Sequence, residues 1–483
     1  MVDKILNFDN TYLTLPQVFY SNVNPSVVPN PEVVLFNEEL GQDIFGHTTN
    51  PQEWSQLLSG NRVPENTTPF AQAYAGHQFG HFTMLGDGRA IVIGEHVSPL
   101  GKRYDMQLKG CGITPYSRRG DGKATLGAML REYLMSESMF YLGIPTSRSL
   151  AVTKTGEKVY RDRTHDGAVL TRIMSGHIRV GTFEYAHYYG SPNDLESLLN
   201  YTIKRHFPSL LHSNNPAAEM LEYVMNRQID LIINWMRVGF IHGVMNTDNT
   251  SISGETFDYG PCSFMNTYDL NTVFSSIDTG GRYAFGNQPT IIKWNIVKLA
   301  ETLLPLLNPS QNRAIEIARE IIDKFDNLFM ERWYAMMFSK IGLIKPATGD
   351  RDLVDQLLLA MKSFELDYTN TFTSLKRGIT TKESPSQQLD PLNPWLTNWT
   401  RRLEESEGGF LAAAALMGKT NPLFIPRNYF VEKALAGADE NNYTLFNQLL
   451  SLVKQPYSSS NEIEKYSYVP NNYDHNYKTY CGT

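Results

Sequence analysis

Cysteine is scarce: only Cys111, Cys262 and Cys481 occur in 483 residues. They are too few and too scattered for a disulfide framework or a Cys-rich zinc site, which favours a reducing compartment. No apolar run approaches the length of a membrane-spanning helix, which excludes a membrane partner of that kind. The opening stretch "MVDKILNFDNTYLTLP" has neither a basic segment leading into an apolar core nor an Arg-rich amphipathic pattern. It does not read as a signal or transit peptide, and the cytoplasm is the expected location. A basic surplus is missing too. Forty-three Lys and Arg against 50 Asp and Glu give a net charge of −7, with a pI near 5.9, which argues against a general nucleic-acid binder.

What is present is a globular composition, 41% hydrophobic and 19% charged, long enough for several structural units. Residues 1–69 read as a leading arm with short helices and scattered Pro and Asn. Residues 70–185 read as a small strand-rich lobe. In it "GDGRAIVIGEHV" is a glycine turn feeding a strand, and "YDMQLKG" is a second strand with Lys109 on its polar face. "TLGAMLREYLMSESMFYLG" is a helix buried along Leu126, Met129, Leu130, Tyr133 and Leu134, stopped by Gly143 and Pro145. "SLAVTKTGEKVYRD" reads as a hairpin turning at Thr155-Gly156, and "GAVLTRIM" as one more strand. Residues 186–344 are helical, and residues 345–483 form a helical extension ending in a Tyr- and Asn-rich tail expected to be poorly ordered.

Several stretches carry candidate chemistry. In "LGDGRA", Gly86 and Gly88 let the backbone approach a phosphate and Arg89 adds charge, although such a turn also joins ordinary strands. A strand lysine held by a helix glutamate, Lys109 with Glu132, aims an ammonium at phosphate oxygens; Glu137 is the rival partner. "RRGDGKA" offers Asp121 and Gly122 to a nucleotide, or is a solvated loop. Arg172 and Arg179 suit phosphate through paired donors, with surface ion pairs as the plain alternative. His77 and His81 have the i, i+4 spacing of zinc ligands, but flanking glycines and the missing Glu make structural histidines the better reading.

The stretch from His242 to Gly260, "HGVMNTDNTSISGETFDYG", is the strongest. Protein kinases place a base and a metal ligand in H-R-D-x-x-x-x-N and a second metal ligand in D-F-G. His242 and Asn249 fit that pattern, and Asp258-Tyr259-Gly260 stands for D-F-G. The position of the usual catalytic Asp is Val244. Asp248, Asn249 and Asp258 give two carboxylates and an amide oxygen, a hard ligand set suited to Mg²⁺ on a triphosphate, with Mn²⁺ left open. If Asn249 takes the metal, Asp248 is free to accept a hydroxyl proton, and an Asx-rich turn between two strands is the plain alternative.

Taken in order, "YAGHQFG", "LGDGRA", "LKGCGITPYSRRGDGKA", "REYLMSESMFYLGIPT", "HGVMNTDN", "DYGP", "GRYAFGNQP" and the later "NP…PRNY" resemble the selenoprotein-O family of protein adenylyltransferases, the YdiU-type proteins. The resemblance covers most of the chain. It implies an α+β, bilobal, protein-kinase-like (pseudokinase) fold that binds ATP in a flipped orientation. It further implies transfer of AMP to Ser, Thr or Tyr hydroxyls of protein substrates, self-modification included. On the family pattern the nucleotide contacts fall on Gly86, Gly88, Arg89, Lys109, Asp121, Gly122, Arg172 and Arg179, and the Lys–Glu pair on Lys109 and Glu132. The proton acceptor falls on Asp248 and the magnesium ligands on Asn249 and Asp258. Some members carry a C-terminal selenocysteine or a cysteine that forms a disulfide near the active site. Here Cys262 and Cys481 are the matching pair, with two unrelated thiols as the alternative. Two other readings stay open beside AMP transfer: ordinary phosphoryl transfer, disfavoured by Val244, and a catalytically silent ATP-binding scaffold.

Overall fold

The computed structural model describes residues 5–46, 50–381, 387–470 and 473–479. Its organising element is a seven-stranded antiparallel sheet built from both ends of the first 174 residues. In chain order the strands are β1 (Tyr20–Asn22), β2 (Glu32–Phe36) and β3 (Phe70–Gln72). After them come β4 (Ala75–Gln78), β5 (His81–Met84), β6 (Ala90–Val97), β7 (Arg103–Lys109), β8 (Arg148–Tyr160) and β9 (Thr164–Met174). Spatial order in the sheet is β1-β3-β6-β7-β9-β8-β2, and β4 with β5 forms a separate hairpin. The stretch read as a leading arm therefore supplies both edge strands. Strands of three and five residues are too short to show alternation in sequence.

The polar face of β7 carrying Asp105, Gln107 and Lys109 is buried, because charged partners from β9 and a helix cover it. One sequence expectation for this sheet is corrected. The hairpin does not turn at Thr155-Gly156. β8 runs on to Tyr160 and returns through residues 161–163 into β9, with a register shift between Lys154 and Lys158. Gly156 sits at φ +78° inside that irregularity, where an added Cβ would lie 2.7 Å from Asn30 Cβ. Its glycine serves a bulge, not a turn.

Helices α1 (Glu38–Phe45) and α2 (Ser55–Leu58) lie between the first strands. The long α3 (Leu126–Tyr141) starts at Thr125, whose hydroxyl accepts from the Ala128 N–H, and packs on β8 and β9. The predicted stripe is buried, and so is nearly every residue from Leu126 to Met139. The reason lies far down the chain, in helices that cover the outer side of α3.

Next come α4 (Val180–Tyr189), α5 (Pro192–His206) and α6 (Pro216–Arg237). Leu221, Val224, Met225, Ile229, Ile232 and Met236 make up an apolar face of α6 and are all buried, and Gly239 follows at φ +74°. Two short paired strands, β10 (Phe240–Ile241) and β11 (Ser263–Phe264), then bracket the loop containing Asp248 and Asp258. Further helices are α7 (Gln288–Leu307), α8 (Gln311–Ile322), α9 (Phe325–Lys340), α10 (Asp350–Ser363) and α11 (Tyr368–Thr381). The last are α12 (Asn393–Glu404), α13 (Gly409–Thr420), α14 (Asn428–Asp439), α15 (Thr444–Val453) and the short α16 (Tyr473–Asn476). The chain is thus a mixed α/β protein with a helical C-terminal region. Helices α14 and α15 pack against α3, and Arg131 of α3 donates to Glu432 at 2.9 Å and to the Cys262 carbonyl at 2.7 Å.

The tail departs from its expected disorder over residues 473–479. Asp474 accepts from the Asn266 N–H at 2.9 Å. Thr479 donates its N–H to the Phe274 carbonyl at 2.7 Å and its hydroxyl to the Pro261 carbonyl at 2.8 Å. The Cys262–Cys481 pairing falls on Cys481, which lies outside the described residues. Among the described residues no helix is long and apolar enough to cross a membrane.

Candidate active site

A cavity of about 390 Å³ opens between the β6–β7 side of the sheet and the loop bracketed by β10 and β11. Its walls include Gly86, Gly88, Arg89, Lys109, Asp121, Gly122 and Arg172 from the sheet side, and Arg179, Asp248, Asn249 and Asp258 opposite them. Of the twelve residues that the resemblance assigns to nucleotide, proton acceptor, metal or the Lys–Glu pair, eleven therefore share one cavity. The twelfth, Glu132, stands behind it on α3.

Glu132 acts through its neighbours. Lys109 Nζ, at the end of β7, lies 2.7 Å from Glu132 Oε2 and 2.6 Å from Asp258 Oδ1. Arg172 on β9 reaches Glu132 through its Nε at 3.0 Å, Gln107 Oε1 at 3.1 Å and Asp258 Oδ1 at 2.6 Å. Two cations and two carboxylates thus close into one alternating group. Glu137, the rival partner, is taken by Arg148 at 2.7 Å and by Asn37. Burial alone would push the Asp258 carboxyl up, but Arg172, Lys109 and then Arg179 outweigh it and hold it well below the usual range. Burial opposes the charged form of Glu132 in the same way, and Arg172 and Lys109 again prevail. Both carboxylates are ionised at neutral pH. Asp258 also sits at φ +60°, a left-handed conformation that Asp and Asn adopt more readily than most residues.

Asp248 has a different environment. It is 7% exposed, and its Oδ1 is buried without a hydrogen-bond partner among the described residues. Burial pushes its carboxyl up to about 6, only partly offset by Arg179. A carboxylate poised in this range, with a lone pair unengaged, is equipped to take a proton. Arg179, at the start of α4, donates to the Asp248 carbonyl at 3.0 Å and lies over the Tyr74 ring at 4.0 Å, which fixes the loop from the far side. Asn249 donates its Nδ2 to the Val244 carbonyl at 3.0 Å, leaving Oδ1 as the amide's acceptor at the cavity. The residue in the kinase base position thus contributes a backbone oxygen, not a side chain.

Asn249 and Asp258 both line the cavity, and an amide oxygen with an ionised carboxylate is the kind of hard oxygen donor that suits Mg²⁺. Among the described residues no three His, Cys, Asp or Glu side chains converge to hold a metal unaided. A divalent ion at this donor set would therefore draw its remaining ligands from water and from phosphate oxygens.

On the rim, Gly86 at φ +146° leaves no room for a side chain: an added Cβ would lie 2.4 Å from the Tyr116 ring. Asp121 accepts both guanidinium nitrogens of Arg161 at 2.9 Å each, and that pairing lowers its carboxyl's pKa. Sequence reasoning missed Arg161, because it assigned the hairpin turn to the wrong residues. It also passed over Asp87, named only as the middle of a glycine turn. Asp87 is buried, accepts from the Gln72 N–H at 3.1 Å, and lies 3.7 Å from Arg179. His77, read as structural, joins Glu184 and Thr247 beneath the loop, whereas His81 is exposed on β5.

Fold and site together define a mixed α/β protein with a charged, glycine-rimmed cavity in which Lys109, Arg172 and Arg179 gather near the ionised Asp258. Comparison with known proteins gives that class a name. The family model described as protein adenylyltransferase SelO matches residues 4–454, and the chain belongs to this family. It is similar to a protein nucleotidyltransferase YdiU of Clostridium perfringens, 51% identical over 479 residues covering 99% of this chain and 98% of that protein. The YdiU of Shouchella clausii is 51% identical over 480 residues, 99% of each chain. That of Pelagibacter ubique is 48% identical over 480 residues, again 99% of each.

Proposed function

We propose that this chain transfers AMP from ATP to hydroxyl side chains of proteins, Ser, Thr or Tyr, its own included. The observation that carries the reading is the buried, unpartnered Oδ1 of Asp248 in the same cavity as the Lys109–Asp258–Arg172 group. The hydroxyl oxygen attacks the α-phosphorus, its proton passes to Asp248, and the bond to the bridging oxygen breaks, releasing pyrophosphate. Lys109, Arg172 and Arg179 offset the charge on the departing β- and γ-phosphates, which requires ATP to lie with that end inward, flipped relative to a kinase. Gly86, Gly88 and Gly122 admit the phosphate chain to the backbone, with Arg89 and Asp121 beside it. Glu132 keeps Lys109 and Arg172 in place. Mg²⁺, or Mn²⁺ in its stead, would be held by Asn249 and Asp258 and neutralises phosphate oxygens when bound.

In the same reading, residues 70–185 correspond to the upper lobe of a pseudokinase and residues 186–344 to the lower lobe, with residues 345–483 an added helical extension. The family membership and the names of the 51% identical relatives support the nucleotidyl-transfer reading.

The test is incubation of the protein and a generic protein substrate with Mg²⁺ and ATP labelled at either the α- or the γ-phosphate. Label from the α position alone is the expected result. Label from γ alone would mean phosphoryl transfer, and no label from either would mean a scaffold.

A further inference from the structure

Three residues remote in sequence close a ring under the base. The His77 N–H donates to Thr247 Oγ1 at 2.7 Å, and Thr247 Oγ1 donates onward to Glu184 Oε2 at 2.6 Å. Glu184 Oε1 returns to His77 Nδ1 at 2.5 Å, a distance at which one proton must lie between the two atoms. Each member comes from a different element: His77 from β4, Glu184 from α4, Thr247 from the loop. The Glu184 side chain is 1% exposed, and Trp294 of α7 packs edge-on against the His77 ring. Lys298 and Glu301 of α7 are the charged groups that act on Glu184 from outside the ring.

Thr247 immediately precedes Asp248, and Gly76 immediately precedes His77. An added Cβ on Gly76 would lie 2.4 Å from Asp248 Oδ1, so the β4 backbone is the wall against which that carboxylate rests. The ring therefore fixes both the residue that carries the base and the surface that confines it. A second tie runs parallel, since Asn246 Oδ1 accepts from the Phe79 N–H at 3.1 Å and from the Tyr283 hydroxyl at 2.5 Å.

We propose that His77, Thr247 and Glu184 act as one positioning unit for Asp248, holding its carboxylate against Gly76 in the orientation that receives the substrate proton. None of the three lines the cavity, and their effect is exerted through Asp248 alone. This inference rests on the AMP-transfer reading for its catalytic consequence but not for its structural one.

The test compares Thr247→Val, which keeps the shape and removes the hydroxyl, with Thr247→Ser, which restores it. The expected result for Thr247→Val is a fall in kcat of about 10- to 100-fold. KM for ATP and equilibrium binding of ATP should change by less than about twofold, because no nucleotide contact is touched. Thr247→Ser should recover most of kcat. Hydrogen exchange read by mass spectrometry should speed up in Thr247→Val over residues 243–251 and 75–80 and nowhere else. Wild-type kcat in Thr247→Val, or equal losses of kcat and ATP binding with exchange raised throughout, would overturn the proposal. Wild-type protein that transfers no AMP would remove the proposed reaction, and the localised exchange response would still decide whether the ring holds the loop.

Discussion

Gly76 and Asp248 are in direct contact across two elements, the Gly76 Cα facing the Asp248 carboxylate with no room for a methyl group between them. Gly76→Ala forces a backbone or side-chain shift, since the clash is with the carboxylate oxygen itself at 2.4 Å. AMP transfer should drop by at least about 10-fold through misplacement of the base, while ATP binding persists. Steady-state kinetics alongside equilibrium nucleotide titration checks this, and unchanged kcat would show that the loop accommodates the methyl group.

Asp248→Asn should stabilise the protein at the expense of its activity. The folded carboxyl is raised from 3.8 to about 6 by burial. The folded state thus keeps its proton up to a higher pH than the unfolded chain. The resulting stabilisation is present at low pH and is lost as pH rises through about 6. At pH 8 the buried charge costs on the order of 3 kcal/mol, which the amide avoids. Thermal unfolding without nucleotide or divalent cation should show a higher midpoint for Asp248→Asn at pH 8 and little difference at pH 4. AMP transfer should be lost.

At Asp258, the Ala and Asn variants separate charge from backbone. Either removes the carboxylate charge shared by Lys109 and Arg172 and assigned above to the proposed metal, so each should abolish label transfer from α-labelled ATP. Asn tolerates the φ of +60°, whereas Ala pays about 1–2 kcal/mol for it. Denaturant unfolding should rank Asp258→Ala below Asp258→Asn. Persistent labelling in either would refute the metal assignment.

Arg161→Met frees Asp121 from its paired guanidinium contacts and loosens the "RRGDGKA" loop. KM for ATP should rise by up to about fivefold, the ~1 kcal/mol at the upper end for an ion pair with a half-exposed partner, with kcat nearly unchanged. A fall in kcat at constant KM would place Arg161 in the chemistry instead.

Lys109 and Glu132 were legible as a pair because a strand end and the next helix offer few other ways to satisfy a buried ammonium. Asp248, Asn249 and Asp258 were legible because a short loop keeps them together whatever the fold does. Arg161 was not, since Gly156 signals a turn to any reader of sequence and only the packing against Asn30 reveals a bulge. Neither was the ring under the base: His77 and Glu184 are 107 residues apart and Glu184 and Thr247 a further 63, and nothing local couples them. The edge strands β1 and β2 escaped notice because their pairing, not their own residues, makes them strands.

Those edge strands also constrain how the chain can be built. β2 leaves the ribosome well before β8, its only neighbour in the sheet, and β1 before β3. Until β8 and β9 have been made, β2 has unpaired N–H and C=O groups and nowhere to dock. The nascent lobe therefore passes through a long interval in which its outermost strands are its earliest and least protected. Chains truncated to begin near residue 70, or pauses in translation before residue 160, should favour aggregation over folding.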